Sequence, residues 1–64
     1  MKLKDALLRF NNHMPIRIFC GCQTLFNGSK SDVSKQEWDQ RVGPYMECNV
    51  LNEIVINGRM TFAI

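Results

Sequence analysis

Long apolar runs, blocks of like charge, a second histidine and a dense set of aromatics are all missing from this chain of 64 residues. No stretch approaches the ~18 apolar residues that span a bilayer, and the Lys-rich start leads into a charged amphipathic segment rather than an apolar signal core. The chain is therefore expected to be soluble and cytoplasmic. Eight basic residues against six acidic ones leave a formal charge of +2, too small to indicate nucleic acid without a clustered basic surface. Lys2, Lys4, Arg9 and Arg17 do give a basic end, which reads as a solvated helix face.

Catalytic patterns are absent as well. Ser29, Ser31 and Ser34 stand in no hydrolase motif, His13 has no evident partner to orient it as a base, and the acids do not cluster. Asn27-Gly28-Ser29-Lys30-Ser31 lacks the spaced glycines and following helix of a phosphate loop. No catalytic residue is assigned, and the chain is not expected to be an enzyme.

Cysteine supplies the only concentrated side-chain chemistry, in Cys20-Gly21-Cys22. Together with Cys48 and His13 these give four borderline or soft ligands, the number tetrahedral zinc needs. The spacing argues against that use, because structural zinc sites present Cys-x(2–4)-Cys, and His13 and Cys20 fall at opposite ends of a strand, roughly 20 Å apart. A redox dithiol is normally Cys-x-x-Cys at a helix start, whereas this pair lies between two strands. An odd cysteine count without a secretion signal favours free thiols, and Cys48, between Met46 and Val50, reads as a small buried hydrophobe. Neither metal nor cofactor is expected, and Cys20-Gly21-Cys22 reads as a turn in which Gly21 matters more than the sulfurs.

What the chain does have is ordinary globular composition, 45% hydrophobic and 22% charged, so a folded chain is expected rather than a disordered one and residues 1–64 are read as one domain. A chain this short buries only about 60% of the surface its unfolded form exposes, so stability should be marginal. Leu3, Leu7 and Phe10 recur at helical spacing and predict a helix over 3–11, with Asp5 and Arg9 as an i, i+4 pair. Period-two alternation through Ile16, Ile18 and Cys20, followed by Thr24-Leu25-Phe26, predicts a hairpin over 15–28. Ser34 and Glu37 form a capping box, with Val33 and Trp38 as its hydrophobic staple, opening a helix over 35–42 that Gly43-Pro44 ends.

From Tyr45 the even positions Met46, Cys48, Val50, Ile54 and Ile56 are apolar and predict a strand with its even face buried. Asn57-Gly58 then marks a turn, with Met60, Phe62 and Ile64 returning. A three-residue connection pairing Ile56 with Met60 keeps that apolar set on one face, whereas a two-residue Asn-Gly loop pairs Val55 with Met60 and splits it; the former is preferred. The result is an α+β fold of order α-β-β-α-β-β, with two helices on one face of a four-stranded, mostly antiparallel sheet. Its expected core is Leu3, Leu7, Phe10, Ile16, Ile18, Trp38, Ile54, Ile56, Met60 and Phe62.

The uncovered face of that sheet is the candidate binding surface, expected to carry Arg17, Phe19, Tyr45, Leu51 and Val55. Aromatics and arginine are enriched at protein interfaces, and a marginal domain gains stability from a partner, so protein binding, a homodimer included, is the leading reading. Nucleic-acid binding is the alternative, since an aromatic and basic sheet face stacks bases; two aromatics with Glu47 and Glu53 on the same face weigh against it.

The opening Met-Lys-Leu-Lys-Asp-Ala-Leu-Leu, then Pro15-Ile16-Arg17-Ile18-Phe19, Leu25-Phe26-Asn27-Gly28-Ser29 and the closing hairpin, resembles small phage- and prophage-encoded proteins of Gram-positive bacteria. The likeness spans most of the chain and rests on fold-forming segments, so it carries over no functional residue. Where those relatives have acidic or Gly-bearing turn residues, this chain has Cys20-Gly21-Cys22-Gln23, which leaves the role of that turn open. The resemblance implies an interaction protein of a phage or mobile element that binds a host protein inside the host cell, such as an anti-CRISPR-like inhibitor of host defence.

Overall fold

The computed structural model describes residues 1–64. Helix α1 spans Leu3–Leu7 and is followed by the hairpin of β1, Ile16–Cys20, and β2, Gln23–Gly28. A single 3-10 turn leads to α2, Lys35–Arg41, and a second one to the hairpin of β3, Asn52–Ile56, and β4, Arg59–Ala63. The strands lie in the order β2-β1-β4-β3, so the two antiparallel hairpins join through a central parallel pair of β1 and β4. The α+β class and the α-β-β-α-β-β order are those expected from the sequence.

One cluster holds the layers together: Leu3 and Ala6 from α1, Trp38 and Val42 from α2 and its cap, and Ile16, Ile18, Phe26 and Phe62 from the sheet are all buried. The strand residues among them share one sheet face, because Ile18 stands opposite Phe26 on one side and Phe62 on the other. Edge-to-face rings fix two points of this core, Phe26 on Trp38 at 5.0 Å and Phe10 on Phe62 at 5.6 Å. Pairs of this geometry contribute about 0.5–1.5 kcal/mol beyond their buried area.

Helix α2 follows its local signals. Ser34 Oγ accepts from the Glu37 N–H, leaving the Glu37 carboxylate to pair with Arg41 one turn on at 3.2 Å. Helix α1 is shorter than the expected 3–11, since Asn11 Oδ1 accepts from the N–H groups of both His13 and Met14, turning the chain toward β1. Leu8 is left exposed at that end, and Arg9 crosses to Glu53 rather than pairing with Asp5.

The second half departs further from expectation. Residues 46–50 are not a sheet strand: Leu3 N–H donates to Cys48 O, Lys4 N–H to Met46 O and Val50 N–H to Met1 O, so this segment docks on the N-terminus. Its alternation places Met46 and Val50 against the core, while Cys48 is exposed and not the buried hydrophobe expected.

Asn57 and Gly58 both adopt positive φ, 53° and 75°, the geometry of a tight two-residue hairpin loop. Val55 therefore pairs with Met60 and Ile56 with Arg59, so the preferred three-residue connection is overturned. The local turn chemistry prevails because β3 is an edge strand, exposed along its whole length, and its apolar residues have no core to enter. Ile54 and Ile56 are accordingly exposed, while the other expected core residues are buried or pack against the cluster.

Candidate functional site

The pairings determine which side chains share the helix-free face. Arg17 stands beside Thr61 and opposite Asn27, Phe19 beside Ala63, Ile54 opposite Thr61, and Ile56 opposite Arg59. The face thus runs from a polar and cationic half, Asn27, Arg17, Arg59 and Thr61, to an apolar strip of Ile54 and Ile56. Half of the Ile54 surface is exposed, 49%, and Ile56 is 38% exposed, although both are β-branched residues in the middle or at the end of a strand.

Of the five expected surface residues, the structure brings Arg17 and Phe19 together on this face. Val55 pairs with Met60 and shares the face of Phe62, so it lies on the helix side. Tyr45 sits in the 3-10 turn after α2 and packs against the core; Leu51 precedes β3, its N–H bonded to Ala63 O. The sequence reading missed Ile54 and Ile56, whose face depends on the hairpin register, and also Arg59 and Thr61, which alternate with Met60 and Phe62 and fall on the open face in either register. The signal for the isoleucines was the Asn57-Gly58 dipeptide taken at face value, and for Arg59 and Thr61 the alternation of their own strand.

The same pairings remove every carboxylate from the face. Glu53 is on the helix side with Arg9, and Glu47 lies by α1, hydrogen-bonded to Lys2 at 2.6 Å and Lys4 at 2.8 Å. Those two ammonium groups hold the Glu47 carboxyl down to about 2, and the same contact raises Lys4. The four remaining acids belong to α1, α2 and the first 3-10 turn. Arg17 and Arg59 therefore project a positive field with no local counter-charge.

Each arginine is held. The Arg17 guanidinium lies 5.8 Å from the centre of the Phe19 ring, and an Arg59 nitrogen donates to Asn27 Oδ1 across β1. Two polar atoms on this face are buried without a hydrogen-bond partner, Arg17 Nε and Thr61 Oγ1. Leaving such a group unpaired costs about 1–3 kcal/mol.

The remaining chemistry is dispersed. Cys20, Cys22 and Cys48 are free and exposed, and no three His, Cys, Asp or Glu side chains gather as metal ligands would. Cys20 closes β1 against Gln23, leaving Gly21 and Cys22 as a two-residue loop with Gly21 at φ 60°, so the stretch is a turn. A cavity of about 180 Å³ lies between α1 and α2, lined by Leu7, Phe10, Met14, Lys30 and Trp38 among others. It is smaller than the ~300 Å³ at which ligand pockets begin. No helix is long and apolar enough to cross a membrane.

Comparison with protein-family models, with curated proteins and with solved structures finds no match for this chain.

Proposed function

We propose that this chain is a non-enzymatic interaction protein of phage or mobile-element origin that binds a host protein in the host cytoplasm through its open sheet face, in the manner of an anti-CRISPR-like inhibitor of host defence. The observation that carries the reading is the uncovered face itself: two ordered arginines and Phe19 beside exposed Ile54 and Ile56, with no carboxylate among them. Arginine and aromatic anchors next to an apolar strip are what interface cores are enriched in, and clustered exposed apolar residues have a meaning that scattered ones lack. The origin and the kind of target rest on the resemblance, which spans the N-terminal helix, the first hairpin and the closing hairpin.

Affinity capture from a Gram-positive host lysate tests the reading when wild type is run beside an Ile54→Ser/Ile56→Ser variant. A partner retained by wild type and lost by the variant supports it; a partner held equally by both counts against this face. A homodimer on the same face is the accessory proposal, and light scattering that gives a monomer at high micromolar concentration would dispose of it.

Nucleic acid is the second reading, favoured by one observation: Glu47 and Glu53, which weighed against it, lie off the face. It predicts salt-sensitive binding of single strands, and absence of binding at low salt removes it.

A further inference from the structure

We propose that the open face carries a seat for a single carboxylate, built from Arg17, Arg59 and Thr61, which takes an Asp or Glu side chain of the partner; this deepens, and rests on, the reading that the face binds a protein. The three residues are neighbours by construction. Arg17 and Thr61 are paired across β1 and β4, about 5 Å apart, and Arg59 precedes Thr61 by two residues on the same face, about 7 Å away.

The seat is rich in donors and has no anion of its own. Thr61 is only 3% exposed and its hydroxyl has no partner, and Arg17 Nε is likewise buried and unpaired. A buried, unpartnered Thr hydroxyl on the strand between Arg17 and Ile54, two residues from Arg59, is what a third point of contact on an oxyanion needs, since an arginine fork binds two oxygens and leaves a lone pair to satisfy. Stacking of Arg17 on Phe19 and the bond from Arg59 to Asn27 fix the two forks before any ligand arrives.

The surroundings select a carboxylate over a nucleic-acid phosphate. The face offers two cations rather than a track of them, and one aromatic ring rather than a stacking platform, so a repeating phosphate backbone finds little beyond its first contact. Ile54 and Ile56 adjoin the seat on β3, and a protein segment can supply apolar side chains next to an acidic one.

The test follows arginine Nε–H and Thr61 amide signals by proton–nitrogen NMR while sodium acetate, and separately inorganic phosphate, is added to the intact chain at constant ionic strength. Saturable acetate shifts at Arg17, Arg59 and Thr61 are expected, with Arg41 on α2 unmoved. Arg17→Gln should weaken acetate at least about tenfold and Thr61→Val severalfold, each with the fold retained in the same spectra. Shifts that rise linearly, that include Arg41 equally, or that persist in both variants would overturn the seat. Saturation by phosphate without acetate would overturn the carboxylate assignment. A captured partner that binds through Ile54 and Ile56 with no acetate seat leaves the broader reading standing and this one refuted; a seat without any partner does the reverse.

Discussion

Thr61 is the one buried polar residue of the chain. Its hydroxyl is buried on a sheet face that no helix covers and has no partner, so Thr61→Val, which keeps the shape and the β-branch, should stabilise the free protein by about 1 kcal/mol in urea denaturation. A loss of stability instead would mean that the hydroxyl is satisfied within the fold. Phe62, the next residue, faces the core and meets Phe10 edge-on, and Phe62→Ala should cost about 3–5 kcal/mol, enough to unfold a domain of this size. Ile54→Ser should stay within about 0.5 kcal/mol of wild type in the same assay, because its surface is already half in water. A cost near that of Phe62→Ala would restore Ile54 to the core. Alternation alone does not tell these isoleucines apart from Phe62, since all belong to one apolar parity and it is the hairpin register that sends Ile54 and Ile56 to the opposite face from Phe62.

At the scale of elements, what was legible tracks how local the cause is. Helix α2 is set by Ser34 and Glu37 three residues apart, and the first hairpin by Gly21 at positive φ, so both stood in the sequence. The shortening of α1 depends on the Asn11 side chain reaching two backbone donors, and the docking of residues 46–50 on the N-terminus is a contact between chain segments far apart; neither has a periodic signature. In the last hairpin two legible signals conflict, and the turn that Asn57-Gly58 dictates prevails over burial of one apolar set. Gly58→Ala, at φ 75°, should therefore cost about 1–2 kcal/mol. Thermal denaturation checks this, and an unchanged midpoint would imply that the loop relaxes to another form. Replacing Cys20 and Cys22 together by Ser should leave the midpoint unchanged, as both thiols are exposed and the turn is set by Gly21.

Glu47 clamps the N-terminal seam through Lys2 and Lys4, and its depressed carboxyl gives the element a pH signature. A group whose folded value lies below its unfolded one contributes stability above the unfolded value and loses it as pH falls through the folded one. For Glu47 that window runs from 4.5 down to about 2. The groups are exposed, so the effect is small and screened by salt. Glu47→Gln should flatten the acid limb of the stability curve in that window at low ionic strength; an unaltered limb would assign acid sensitivity elsewhere.

For the whole molecule, the topology explains why a surface of this kind exists. Both helices and the long connections lie on one side of the sheet, which supplies the single core, and the central parallel pair of β1 and β4 brings Arg17 beside Thr61 and Arg59. Every acid ends on the helix side or outside the sheet, so the opposite side combines cationic anchors with an apolar edge. The most direct measurement is the affinity of any partner recovered by the affinity capture proposed above for wild type, for Arg17→Gln/Ile56→Ser on the open face, and for Val55→Ser on the helix side; recovery of no partner contradicts the proposal outright. At least about a tenfold loss is expected for the open-face variant and none for Val55→Ser. The opposite pattern, or equal affinity for all three, would contradict it.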